Sequence, residues 1–123
     1  MILRRFEDVA DEPVSHNPRV RKHVWLRNGE SENITQVSRA TFPPGVSCEA
    51  HSHDDMWELF LVDFGEVTFL INGEKMVLTA GDAVLIEPRE VHVVKNCSPL
   101  PAKLKVMSWT QSARVHPAQA DIS

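Results

Sequence analysis

Apolar residues in the second half of the chain fall in short runs with a period of two, each closed by turn residues. Residues 57–64, WELFLVDF, place Glu58, Phe60, Val62 and Phe64 on one side and Trp57, Leu59 and Leu61 on the other. A strand with one wet face should alternate apolar and polar cleanly. This one is apolar on both faces, so its outer face is expected to be covered by the N-terminal segment, a second sheet or another subunit. Gly65 leads into a strand at 66–71, and Asn72-Gly73 is the strongest short hairpin signal in the chain. The return strand is 74–79, followed by a turn at Ala80, Gly81 and Asp82. Further strands are predicted at 83–87, 91–96 and 103–109, with a bend at 88–90 and a loop through Pro99 and Pro101. Upstream, 35–42 reads as a strand whose faces are Gln36, Ser38, Ala40, Phe42 and Val37, Arg39, Thr41. Parity alone does not say which of these faces lines a pocket. Pro43, Pro44 and Gly45 end it. Val24, Trp25 and Leu26 form a short apolar island. Without a long amphipathic helix or an internal repeat, the pattern predicts an all-β sandwich or barrel.

The length of 123 residues suits one domain spanning 1–123. Residues 1–34 are read as a segment packing on the barrel or on a partner, 35–109 as the barrel core and 110–123 as a loose tail. The net charge of −4 gives no reason to expect nucleic acid or an anionic membrane as partner. No signal peptide and no apolar run of about 18 residues is present. Two cysteines, Cys48 and Cys97, are too few for a disulfide framework and read as reduced, small core residues of a cytoplasmic protein. Arg19, Arg21, Lys22 and His23 form a basic cluster that either binds an anion or, the favoured reading, lines a solvated edge. His16 and His23 are read as surface histidines, and His116 has no assigned role.

The candidate chemistry lies in 45–65, GVSCEAHSHDDMWELFLVDFG. His51 and His53 are one pleat apart and point the same way on a strand. If the chain turns back after Asp54 and Asp55, Glu58 faces them. Two imidazoles and a carboxylate converging on a point can bind a divalent cation, and His92 is a fourth candidate downstream. Cys48 has the opposite parity to His51 and is expected to point away; Trp57 points away from Glu58.

The stretch reads G-x5-H-x-H-x4-E-x6-G, with Gly45, His51, His53, Glu58 and Gly65 in place, and resembles the first motif of the cupin superfamily. GDAVLIEPREVHVVKN resembles the second, keeping Gly81, His92 and Asn96. It departs where Glu87 stands for a proline and Arg89 for a glycine, with Pro88 one residue late. The resemblance implies a double-stranded β-helix, or jelly-roll, barrel. It implies His51, His53, Glu58 and His92 as ligands of one divalent transition metal: Fe, Mn, Ni, Co or Zn. Four protein ligands on an octahedral ion leave two positions for water or substrate. Glu58, if it leaves the metal, is the candidate catalytic base. Arg39, Phe60 and Glu90, with Glu87 beside them, are candidate pocket residues. Arg39 is read either as an anchor for a substrate carboxylate or, more readily, as a surface ion pair.

The leading functional expectation is a metal-dependent enzyme acting on a small organic substrate, a dioxygenase first, with isomerase or lyase chemistry as further classes. The absence of tyrosine excludes cupin reactions that use a tyrosine acid or base, and Glu58 argues against the thiol dioxygenases of that superfamily, which generally lack this ligand. The alternative is a non-catalytic module that binds a sugar or organic acid. A metal that only stabilises the barrel is weaker still, since structural sites tend to be closed. A homodimer is expected from the two-faced apolar strand at 57–64.

Overall fold

The computed structural model describes residues 1–110; the tail expected to be loose from 110 to 123, with His116, lies outside the described residues except for Thr110, which ends the last strand. After a 3-10 turn at Phe6–Asp8 come β1 (Asp11–Val14), β2 (Asn17–Leu26), β3 (Ile34–Phe42), β4 (Met56–Phe64), β5 (Glu66–Ile71), β6 (Glu74–Thr79), β7 (Ala83–Ile86), β8 (His92–Lys95) and β9 (Ala102–Thr110). They form a six-stranded sheet in the order β1-β2-β3-β9-β4-β7 and a three-stranded sheet in the order β6-β5-β8. All the pairings are antiparallel. The fold is all-β, as the alternation predicts. The apolar island at 24–26 is the end of the ten-residue β2, and residues 1–34 supply both β1 and β2 to one side of the larger sheet.

The core forms where the inner faces of the two sheets meet. Phe42, Phe60, Val62 and Leu104 come from the larger sheet, and Val67, Phe69, Leu78 and Val94 from the smaller. Phe60 and Phe69 meet edge to face at 5.3 Å across the gap. Burying side chains of this size stabilises the fold by roughly 1.5–3 kcal/mol each. On β3 it is Gln36, Ser38, Ala40 and Phe42 that turn inward, which parity alone left open.

Two glycine positions shape the chain around the site. Gly65 has φ +84°, and a Cβ there would lie 2.6 Å from the carbonyl oxygen of Pro101, so no side chain fits between β4 and the 97–101 loop. Arg89 occupies the position where the resemblance expects glycine, and it keeps the left-handed backbone with φ +69°. The turn before His92 therefore has its shape without its usual residue.

Phe64 departs from simple alternation. The pairing of β4 with β9 slips between Val62 and Phe64, setting Phe64 opposite Lys103. Lys103 alternates with the inward-facing Ala102 and Leu104, so Phe64 turns outward and is 51% exposed. It does not share the face of Glu58, Phe60 and Val62 as expected. Cys97 is also exposed and not in the core, because it follows the end of β8 and the loop carries it out.

Candidate metal centre

His51 and His92 are brought together by the backbone. Each donates its N–H to the other's carbonyl oxygen, at 3.2 and 3.0 Å, so they form a directly opposed antiparallel pair. Their side chains then leave on the same side, with ring centroids 4.2 Å apart. His53 follows in the loop, held where its carbonyl accepts the N–H of Arg89 at 2.6 Å. Its ring lies 5.0 Å from that of His51 and 5.8 Å from that of His92. Glu58, on the inward face of β4, completes the group. Its Oε1 lies 3.4 Å from Nε2 of His53 and 3.2 Å from Nε2 of His92. One ligand-type atom from each of the four residues falls within 4.8 Å of the others.

The hydrogen bonds decide what these atoms present to one another. Nδ1 of His51 lies 3.0 Å from the carbonyl of Glu49, and Nδ1 of His92 lies 3.0 Å from the carbonyl of Glu90. A carbonyl only accepts, so Nδ1 carries the proton in both rings and Nε2 is left with its lone pair. The lone pair of His92 thus faces a carboxylate oxygen at 3.2 Å, acceptor against acceptor. Nε2 of His53, Nε2 of His92 and Oε1 of Glu58 are all buried without a hydrogen-bond partner. Buried acceptors aimed at one another are costly unless a cation or a proton lies among them. This arrangement fits a divalent metal, and the four residues can hold one.

The electrostatics agree. Burial pushes the Glu58 carboxyl upward, but the adjacent His92 and the charges of the other histidines outweigh it and hold the pKa below its ordinary value. Burial pushes His92 down, yet the Glu58 carboxylate and the Glu90 carbonyl outweigh it, so His92 binds a proton more tightly than usual. His51 is lowered, chiefly by burial, and stays neutral near pH 7, as a ligand must.

His51, His53 and Glu58 line a cavity of about 270 Å³ between the sheets, near the small end of the range of roughly 300–1,000 Å³ typical of small-molecule sites, with His92 held against Glu58. Phe60 lines it, as do Met56, Ser38 and Val106. Arg39 does not: it faces the opposite side of the sheet, its guanidinium 5.9 Å from the ring of Phe6. Glu90 also lies outside the lining. Its carboxylate accepts the N–H of Glu87 at 2.8 Å and the amide of Asn72 at 3.4 Å, fixing the bend before His92. Glu87 enters through that same backbone bond.

Cys48 corrects the parity argument. Ser47 is bridged to Lys95 and His51 to His92, so four steps on one chain match three on the other. The extra residue is a bulge that reverses the alternation, and Cys48 lines the same cavity as Glu58. Burial, with the charge of Glu58, pushes its thiol up to about 11 in the metal-free protein, and its sulfur is not among the clustered ligand atoms. His16 is exposed, as read from the sequence, but its ring stacks on that of His51 at 4.1 Å. The basic cluster divides. Arg21 pairs with Asp11 at 3.0 Å, whereas Lys22 turns inward and lines the cavity with Thr35, Gln36 and Ser108. Those four were not singled out as pocket residues. The apolar Val20 and Val24 two residues either side of Lys22 are the signal that places it on the inner face.

The family model for the cupin domain matches residues 38–109. A curated relative from Thermotoga maritima, named oxalate-binding protein, is 32% identical over 74 residues, covering 60% of this chain. The chain spans 61% of the length of that relative. Among solved structures, a predicted oxalate decarboxylase from Thermotoga maritima superposes with a TM-score of 0.81 at 21% identity, over 89% of this chain and all of that one. A conserved protein with a double-stranded β-helix domain from Klebsiella pneumoniae superposes at 0.65 with 25% identity, over 83% of this chain and 80% of that one. These likenesses establish the double-stranded β-helix architecture, and with the family model covering more than half of it, this chain belongs to the cupin family.

Proposed function

We propose that His51, His53, Glu58 and His92 bind one divalent transition metal, and that the protein is a metal-dependent enzyme acting on a small organic acid in the adjoining cavity. The observation that carries this reading is the set of buried ring nitrogens and carboxylate oxygen that face one another without a hydrogen-bond partner. The metal would supply Lewis-acid activation of a bound oxygen. The chain's own residues hold the ligand atoms in place, exclude water with the Phe60 side of the cavity, and offer Glu58 as the carboxylate best placed to take a proton. An organic acid is favoured because the relative is named for binding oxalate and the solved neighbour is described as a predicted oxalate decarboxylase. Those names favour lyase chemistry beside a carboxylate over the dioxygenase expected at first. They also support a second reading, a non-catalytic module that retains an organic acid, since the relative is named a binding protein. Two unpaired thiols suit a reducing compartment such as the cytoplasm.

Metal analysis of the purified protein should give close to one equivalent, and His92→Ala should abolish it; full metal content in His92→Ala removes the reading. Oxalate and related acids supplied to the metal-loaded protein then separate enzyme from binder. Release of carbon dioxide marks a lyase, oxygen uptake a dioxygenase, and tight retention without turnover the binding module.

A further inference from the structure

The cavity has a cationic wall that the metal centre does not use. Lys22 lies on β2 between Val20 and Val24, both buried, and its side chain lines the cavity. Its Nζ donates to Oε1 of Gln36 at 3.3 Å, and it forms no ion pair among the described residues. Glu12, which faces Lys22 across the β1–β2 pairing, has its carboxylate paired with Arg27. Histidines aside, Lys22 is the one cation lining the cavity. It is an ammonium with three donors and one amide oxygen to receive them.

Gln36 accepts from Lys22 through Oε1, so its amide N–H groups remain free to donate. The neighbouring hydroxyls are already engaged: Thr35 and Ser108 share a bond of 2.6 Å, and Thr35 also lies 3.3 Å from Sδ of Met56. Donor capacity therefore gathers at Lys22 and Gln36, with the Ser38 hydroxyl on the same face of β3. The register places it relative to the metal centre. Glu58 on β4 is paired with Ser108 on β9, and Ser108 with Gln36 on β3. The two ends are thus two strand spacings apart, roughly 10 Å between backbones, with both side chains reaching inward to shorten the gap. One end of the cavity carries the Glu58 carboxylate among imidazoles and the other offers donors around a positive charge.

We infer that Lys22 and Gln36 form a binding site for a second carboxylate, so that the ligand is a small dicarboxylate with one end at the metal and the other at Lys22. This rests on the proposed function, and it narrows the organic acid to one with two anionic ends several atoms apart.

The test measures affinity by calorimetry on the metal-loaded protein, using malate and 2-hydroxyglutarate. Each is compared with the acid that carries a methyl group in place of the distal carboxylate, 2-hydroxybutanoate or 2-hydroxypentanoate. In at least one pair the dicarboxylate should bind about ten-fold tighter or more, the scale of one charge-assisted contact in a partly dry site. Lys22→Met should erase that preference by weakening the dicarboxylate far more than the monocarboxylate, and Lys22→Arg should retain most of it. Equal affinities within both pairs, a preference that survives Lys22→Met, or a loss that falls equally on both acids would overturn the assignment. Metal content measured on the same samples separates the two levels. About one equivalent with no carboxylate preference sinks the role of Lys22 alone, whereas absence of metal sinks the proposed function and this site with it.

Discussion

A histidine presents a metal with a lone pair only if its proton is held elsewhere, and here the backbone holds it. Nδ1 of His51 and of His92 each bond the carbonyl two residues earlier. In the metal-free protein, the raised pKa of His92 means that a proton can take the cation's place beside Glu58. A raised histidine pKa contributes stability below the ordinary value of 6.5 that is lost as pH rises through the folded value. Metal competes for the same nitrogen with the opposite dependence. The thermal shift given by added metal should therefore be large at about pH 8 and fade as pH falls through the raised value toward 6.5, reaching little by about pH 6. A shift that grows on acidification would contradict this ligand set. Arg89 yields a second prediction at this scale. A bulky residue at φ +69° is strained by roughly 1–2 kcal/mol, of which the greater freedom of unfolded glycine returns about 0.5–1. Arg89→Gly should raise stability by up to about 1 kcal/mol in chemical denaturation. That His51, His53, Glu58 and His92 would cluster was legible from the two motifs of the cupin resemblance, each a set of fixed offsets. Lys22 was not singled out as a pocket residue, because it sits in a run of basic residues that reads as a solvated edge, although Val20 and Val24 share its face.

Strand positions were largely legible, since each run of alternating residues ended in a turn signal. β5 and β6 match the expected 66–71 and 74–79, and β3, β4, β7, β8 and β9 shift by one residue at their ends, whereas β1 and all of β2 before Val24 were not read as strands. What alternation missed were its own interruptions. The slip after Val62 turned Phe64 outward, and the extra residue between Ser47 and His51 brought Cys48 inside. Both are properties of a pairing between strands, invisible along one of them. The loop after β8 shows the reverse, a single residue organising an element. Asn96 is 1% exposed, donates to the carbonyls of Phe42 and Leu100 at 3.0 and 2.7 Å, and accepts from the N–H and Oγ of Ser98. Asn96→Ala leaves the buried Phe42 carbonyl unpaired and frees the Ser98 turn, and should destabilise the fold by roughly 1–3 kcal/mol. A loss under 1 kcal/mol would mean that water replaces the side chain.

The whole molecule presents an apolar row on the outer face of the larger sheet. Leu85, Leu59, Met107, Val37 and Leu26 follow one another through direct strand pairings from β7 to β2. Trp57 and Trp109 stack beside the row with planes 2° apart. The N-terminal segment covers part of this face, with Phe6 against His23 and Trp25, yet Leu61 and Leu85 remain 37% and 43% exposed. We propose this row as the contact of a homodimer. Light scattering should report twice the chain mass, and Leu59→Glu with Leu85→Glu should give a monomer that still holds metal; a wild-type monomer ends the proposal. The need for a cover was legible from the two-faced β4, but its identity was not, because faces join across strands far apart in sequence. Among the described residues no helix is long and apolar enough to cross a membrane.

The Nδ1 protons anchored to Glu49 and Glu90 also bear on speed. Two rings fixed before any ion arrives need no search and no tautomer exchange when it does. Loading should then proceed at the pace at which the ion sheds its own water, slowest for the ions that release water most reluctantly, with no lag from the polypeptide.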